Sequence, residues 1–250
     1  MPNYVRNILQ INATPEKIEQ VFKIIQSDTD PEQLLDFNKI IPMPKSLEIE
    51  AGFQENLVSL YMTYINPQVF HYGIQNHQDE LPTIKQNPFL PRYHDDLSKE
   101  EIEKMLHRFS NYSEEQCLEI GKQYYDNFCQ YGATSWYHWC IDNWGTKWNA
   151  CDPYKASENI VVFDTAWNHP EPIIQKTSEM FDVNVKLAYA DEDTHNGNCG
   201  YLEYDNGTLL NEWHPVDYEE AAEFSENVWN YDDFIEDFQP ENQIQQTMFC

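Results

Sequence analysis

No lysine or arginine follows Lys186 in this 250-residue chain, yet 16 aspartates and glutamates lie between Asp191 and Glu241. The last 64 residues therefore carry −16. The first 186, with 27 acids against 15 bases, carry −12, which brings the net charge to −28. A field of this sign repels nucleic-acid phosphates and anionic membranes within a Debye length. Direct DNA or RNA binding is thus not expected, whereas a basic protein surface would be attracted and steered.

Other absences narrow the field. No apolar run approaches the roughly 20 residues that span a bilayer. The opening MPNYVRNILQ has neither the apolar stretch nor the small-residue cleavage site of a signal peptide. A soluble protein in the cytoplasm of a host cell is the expectation. Glycine occurs only eight times, and no GxGxxG, P-loop or HExxH is present. Cys117, Cys129, Cys140, Cys151, Cys199 and Cys250 form no CxxC pair, so reduced thiols are expected rather than disulfides or zinc ligands. His71 and His77, near Asp79 and Glu80, are the best remaining ligand cluster, and they read as surface histidines in a proline-studded loop. Neither a metal nor a cofactor is expected.

Periodicity supplies the elements. Tyr4 to Ile11 reads as a strand, and Thr14-Pro15 as the cap and first residue of a helix burying Ile18, Val21, Phe22 and Ile25. A second strand is expected at Leu35 to Ile41, closed by Pro42 and Pro44. Helices follow at Glu55 to Tyr64, after Ser98 and after Ser113, the last two opened by capping boxes. The segment from Pro67 to Asp96 is treated as an insertion. Ile160 to Phe163 reads as a buried strand, Pro170 to Phe181 as a helix and Val183 to Tyr189 as a strand. Gly200–Tyr204 and Thr208–Trp213 are joined by a hairpin turn at Asp205-Asn206-Gly207. Asp217 to Trp229 is an acidic helix that buries Ala221, Phe224 and Val228. This order predicts an α+β fold, ferredoxin-like, with an antiparallel sheet and helices on one face. It is read as a single domain over 1–250, with a helical insertion at about 54–131 and an acidic extension at about 209–250.

Three segments together carry a resemblance: FNKIIPMP (Phe37 to Pro44), WYHWCIDNWGTKWNA (Trp136 to Ala150) and FDTAWNHPEP (Phe163 to Pro172). Over Asn3 to Gly207 the chain resembles the YubB ferredoxin-like family of phage, plasmid and mobile-element proteins. The resemblance implies the fold and a mobile-element setting, but no reaction. Leu209 to Cys250 has no counterpart in it.

The tryptophan-rich segment could be a ligand platform or a core. Helical spacing puts Trp136, Cys140 and Trp144 on one stripe, and Lys147 is the only basic neighbour. A nucleotide platform would want more cations, so a core role is the better reading. His138, Asp142, Asp164 and His169 are the first candidates for acid–base work, but no catalytic residue is assigned.

The acidic extension is the candidate binding surface: Asp191, Glu192, Asp193, then Glu219, Glu220, Glu223 and Glu226 on one helix, continued by Asp232, Asp233, Glu236 and Asp237. Like charges at i, i+3 and i+4 weaken a helix by a few tenths of a kcal/mol each. So many of them, without an interspersed lysine, suggest that the field itself has a use. The expectation is a non-enzymatic protein that binds and inhibits a host protein with a basic surface. A nucleic-acid-handling defence effector, met by imitation of a phosphate array, is the foremost target. The alternatives are an enzyme with its site near Asp164, Trp167 and His169, and a self-assembling homo-oligomer.

Overall fold

The computed structural model describes residues 3–65, 96–193 and 197–230. The expected insertion at 67–96, the histidines 71 and 77, and the acids Asp232, Asp233, Glu236 and Asp237 lie outside the described residues, apart from Asp96 itself. By its contacts the chain divides into two compact units, Met1–Pro42 with Cys140–Cys250, and Met43–Trp139. The helices expected as an insertion fall in the second.

The first unit is built on a six-stranded sheet in the order β2-β3-β1-β4-β5-β6. Its strands are β1 (Tyr4–Asn12), β2 (Cys151–Lys155), β3 (Ile160–Ala166), β4 (Asn184–Asp191), β5 (Cys199–Asp205) and β6 (Thr208–Trp213), and every pairing is antiparallel. Helix α1 (Pro15–Ile25) follows β1 and α6 (Glu171–Phe181) follows β3. The first four strands and these two helices thus make two interlocked split βαβ units, the ferredoxin-like arrangement.

Local chemistry explains most of these elements. Thr14 accepts a hydrogen bond from Lys17 N (3.4 Å) and Pro15 opens α1. Asn206 and Gly207 both take positive φ (46° and 74°), as a two-residue hairpin turn between β5 and β6 requires.

Two expectations need correction. Leu35–Ile41 is not a strand: a 3-10 turn runs over Phe37–Lys39, capped by the Asp36 side chain. Asn149 supplies what a neighbouring strand would have supplied, since its Oδ1 accepts from Phe37 N (2.8 Å) and its Nδ2 donates to Asp36 (2.8 Å). The second strand is instead Cys151–Lys155, irregular at Asp152 (φ 47°) and interrupted by Pro153. Only an edge strand tolerates that proline. The long connection therefore precedes β2 rather than following it.

The helices also do not share one face. Along β1, Val5, Asn7, Leu9 and Ile11 point to the side where α1 and α6 pack, while Arg6 and Ile8 point to the other. On that second side Ile8, Val162, Ala188, Ala190, Cys199, Tyr201 and Trp213 are covered by Ala221, Phe224 and Val228 of α7 (Tyr218–Trp229). The strand β1 is accordingly buried on both faces.

The described part of the second unit holds α2 (Leu57–Ile65), α3 (Lys99–Arg108) and α4 (Glu114–Tyr131). Ser98 and Ser113 form complete capping boxes with Glu101 and Gln116. Gly132, at φ 76°, ends α4 in the left-handed conformation that favours glycine. Val58, Tyr61 and Met62 of α2 pack against Tyr124, Tyr125 and Phe128 of α4.

Candidate functional site

Helix α7 is placed by both of its ends. Asp217 caps it by accepting from Glu220 N (3.0 Å), and acids in its first turn suit the positive end of the helix dipole. At its far end Trp229 Nε1 donates to the carbonyl of Asp191 (3.0 Å). The Arg6 guanidinium lies 4.6 Å from the centre of a Trp229 ring and pairs with Asp164 (3.2 Å). With Ala221, Phe224 and Val228 buried, helical geometry turns Glu219, Glu223 and Glu226 outward, and all three are exposed. None of the three pairs with a basic side chain among the described residues.

The remaining expected carboxylates divide. Glu220 is half-buried, and its Oε2 accepts from Val216 N (2.6 Å), so it ties down the entry to the helix. Asp191 is only 4% exposed and accepts from Asn3 Nδ2 (3.2 Å), Asn198 Nδ2 (3.3 Å) and Asp193 N (2.8 Å). It is an internal brace, not a docking carboxylate. Glu192 and Asp193 are exposed beside it. The signal for Asp191 was present: its register with Val5 continues the inward alternation of Val185, Leu187 and Tyr189.

The residues considered for acid–base work do not converge. Asp164 lies on the α7 side of the sheet with Arg6. Burial raises its carboxyl above the ordinary range against the lowering effect of that guanidinium. His169 stacks on Tyr189 (centroids 3.7 Å apart, rings at 21°), a residue that the register places with Asn7 on the α1/α6 side. Two groups on opposite faces of one sheet cannot act on one substrate atom. Asp142 is exposed on α5 (Trp136–Trp144), and His138 on the same helix is half-buried with its ring edge-on to Tyr137.

His169 belongs to a cluster that the sequence did not reveal. Its Nε2 lies 3.9 Å from Glu171, whose other oxygen accepts from the Tyr204 hydroxyl (2.5 Å), and Tyr189 OH meets His214 Nδ1 at 3.4 Å. His169 and Glu171 are neighbours in sequence, but Tyr189, Tyr204 and His214 join them only through the fold, so no local spacing could show the cluster. The His169 imidazole first, and the Tyr204 hydroxyl after it, hold the Glu171 carboxyl down to about 2 against partial burial. Burial pushes the Tyr189 and Tyr204 phenols up. The Tyr204 hydroxyl donating to Glu171, with His169 beside that carboxylate and stacked on Tyr189, makes the cluster a latch between α6 and the sheet.

The latch has a pH signature. A carboxyl whose folded value, about 2, is below its ordinary 4.5 stabilises the fold above the ordinary value, and that contribution is lost as pH falls toward 2. Glu171→Gln should therefore lower the thermal midpoint at neutral pH and flatten its fall through that acid window. Parallel acid-unfolding curves for the two proteins would refute this.

The tryptophan-rich segment is core at its centre, with Trp136 and Trp148 half-buried at its ends. Trp139, Cys140 and Trp144 are buried, and burial pushes the Cys140 thiol up to about 12. Trp144 Nε1 donates to Ile41 O (2.9 Å), and its ring meets Phe37 edge-on (5.7 Å, 73°). Phe37 in turn meets Phe163 edge-on (6.1 Å, 81°), so one residue from each of the three resembling segments meets here. Among the described residues no group of three or more His, Cys, Asp or Glu side chains could hold a metal, and no helix is long and apolar enough to cross a membrane.

Comparison with known proteins agrees with the fold. Residues 143–232 match the family model described as the ferredoxin-like domain in Api92-like protein. Over those residues the chain is similar to that domain, and its fold there is ferredoxin-like. The match runs through β6 and α7. A similar solved structure is that of protein api92 from Yersinia pseudotuberculosis, at 12% identity and a TM-score of 0.40, covering 87% of this chain and 99% of that one. No curated protein matches the chain.

Proposed function

We propose that this protein binds a partner protein with a basic surface through the outer face of α7 and the adjoining Glu192 and Asp193. In its narrower form the proposal is that of a phage or other mobile-element protein that inhibits a nucleic-acid-handling host defence effector. The observation that carries the general reading is the outward row Glu219, Glu223 and Glu226, exposed and without basic partners among the described residues. Carboxylates left unpaired on a rigid, well-capped helix keep their full field for another molecule.

Geometry limits the mimicry. At about 1.5 Å of rise per residue the three carboxylates are spaced at roughly 6 and 4.5 Å along the helix axis. A nucleic-acid strand carries a charge about every 3.4 Å. The described row is therefore sparser than one strand, and phosphate imitation depends on what Asp232, Asp233, Glu236 and Asp237 add to it.

The test uses an oligoarginine peptide titrated into the full chain at low and high salt. Reversal at Glu219, Glu223 and Glu226 to lysine should weaken binding by about tenfold or more and reduce its salt dependence. The same charge change at Glu16, Glu19 and Glu32, exposed acids elsewhere in the first unit, should shift affinity by no more than about twofold. Equal losses from both triple variants would reduce the surface to net charge alone and sink the proposal.

A further inference from the structure

The conformation of one exposed residue is unusual. Trp167 follows β3 with φ 68°, in the left-handed region that a bulky side chain rarely enters. Its backbone is held there from both sides, by Trp167 N to Asn3 O (3.0 Å) and by Asn198 Nδ2 to Trp167 O (3.0 Å). The indole is nevertheless 44% exposed. Strain locked in by hydrogen bonds, on a large aromatic left 44% exposed, marks a residue whose ring is presented at the surface.

Its surroundings define what it would meet. Asn198, which holds Trp167, also bonds Asp191, and Asn3 does the same. Asp191 is followed by the exposed Glu192 and Asp193, and its carbonyl receives Trp229 at the end of α7. The Trp167 backbone is thus tied, through Asn198 and the buried Asp191, to a strand end that continues into the exposed carboxylates Glu192 and Asp193. The indole also already accepts a cation: the Lys147 ammonium lies 4.8 Å from its ring centre and 4.5 Å from that of Trp148.

We propose that Trp167 is the anchor of the partner-binding surface and selects arginine over lysine in the basic segment that binds there. This rests on the acidic-surface reading above and deepens it. A planar guanidinium stacks on an indole face while its N–H groups remain free to bond carboxylates at the edge. An ammonium, compact and strongly hydrated, does this less well. Glu192, exposed and with Oε1 accepting from Tyr4 N (3.1 Å), is the neighbouring carboxylate whose other oxygen a stacked guanidinium would meet.

The test compares oligoarginine with oligolysine of equal length on the full chain. The native protein should prefer the arginine peptide by about two- to fivefold. Trp167→Gly should bring that ratio to about one, since glycine suits the positive φ and the fold survives the change. Trp167→Phe should keep part of the preference, and Lys147→Ala, which removes the competing cation, should enlarge it. A native ratio of one, or a ratio unchanged in Trp167→Gly, overturns the anchor while leaving the carboxylate row to be judged by its own reversals. Absence of binding by either peptide overturns both.

Discussion

Truncation of Trp144 to alanine should destabilise the first unit by about 3–5 kcal/mol, as large aromatic deletions in a closed core do. Its thermal midpoint should fall by roughly 10 °C, given about 2–4 °C per kcal/mol for a chain of this size. Three losses combine. The 3%-exposed indole leaves a cavity, the edge-on contact to Phe37 disappears, and the Ile41 carbonyl loses its donor. Phe37 is fully buried and meets Phe163 on the central sheet, so the cavity opens directly onto the sheet's packing face. Trp148, which is half-buried and borders Lys147, provides the contrast, and its truncation should have a much smaller effect. Denaturation followed by near-ultraviolet circular dichroism distinguishes the two variants. Equal losses would mean that the segment packs as a diffuse apolar patch rather than around Trp144.

What could be read from the sequence was the part governed by neighbours along the chain. Thr14-Pro15, the two capping boxes and the Asn206-Gly207 turn were readable because each backbone group there is satisfied within a few residues. The strand β2 was hidden because Pro153 argues against a strand unless the strand is known to lie at an edge. The turn at Phe37 imitated a strand because Leu35, Phe37 and Ile40 are all buried, while its backbone closes on itself through Lys39, Ile40 and Ile41 and Phe37 N bonds the distant Asn149. For α7, amphipathicity showed which side is buried but not which face of the sheet it covers.

The candidate surface divides along the same line. Glu219, Glu223 and Glu226 were visible by helical spacing alone. The burial of Asp191 followed from the alternation along β4, whereas its hydrogen bonds and the capping role of Glu220 concern single atoms that only the folded chain shows. The conformation of Trp167 gave no signal in its immediate sequence. It depends on Asn3 and Asn198, which strand pairing brings to it from far along the chain.

Gly121→Ala should be the most damaging single-methyl change in the second unit. A Cβ there would lie 2.2 Å from the Leu57 carbonyl oxygen, 2.9 Å from its carbon and 3.0 Å from Tyr61 Cβ. Two effects compete. Alanine favours a helix over glycine by about 1 kcal/mol, which would stabilise α4 taken alone. The clash falls on backbone atoms of α2, which cannot move aside as a flexible side chain would, and overpacking of this kind costs about 1–3 kcal/mol or more. The clash wins, because α2 and α4 must separate along the line where Val58 and Tyr61 meet Tyr124, Tyr125 and Phe128. Segment-resolved hydrogen exchange should show α2 and α4 losing protection together. Unchanged protection in both would mean that the helices already stand apart in solution. The arginine preference should persist in this variant wherever it remains folded, since Trp167, Lys147, Glu192 and Asp193 all belong to the other unit. The same substitution thereby separates damage to packing from damage to recognition.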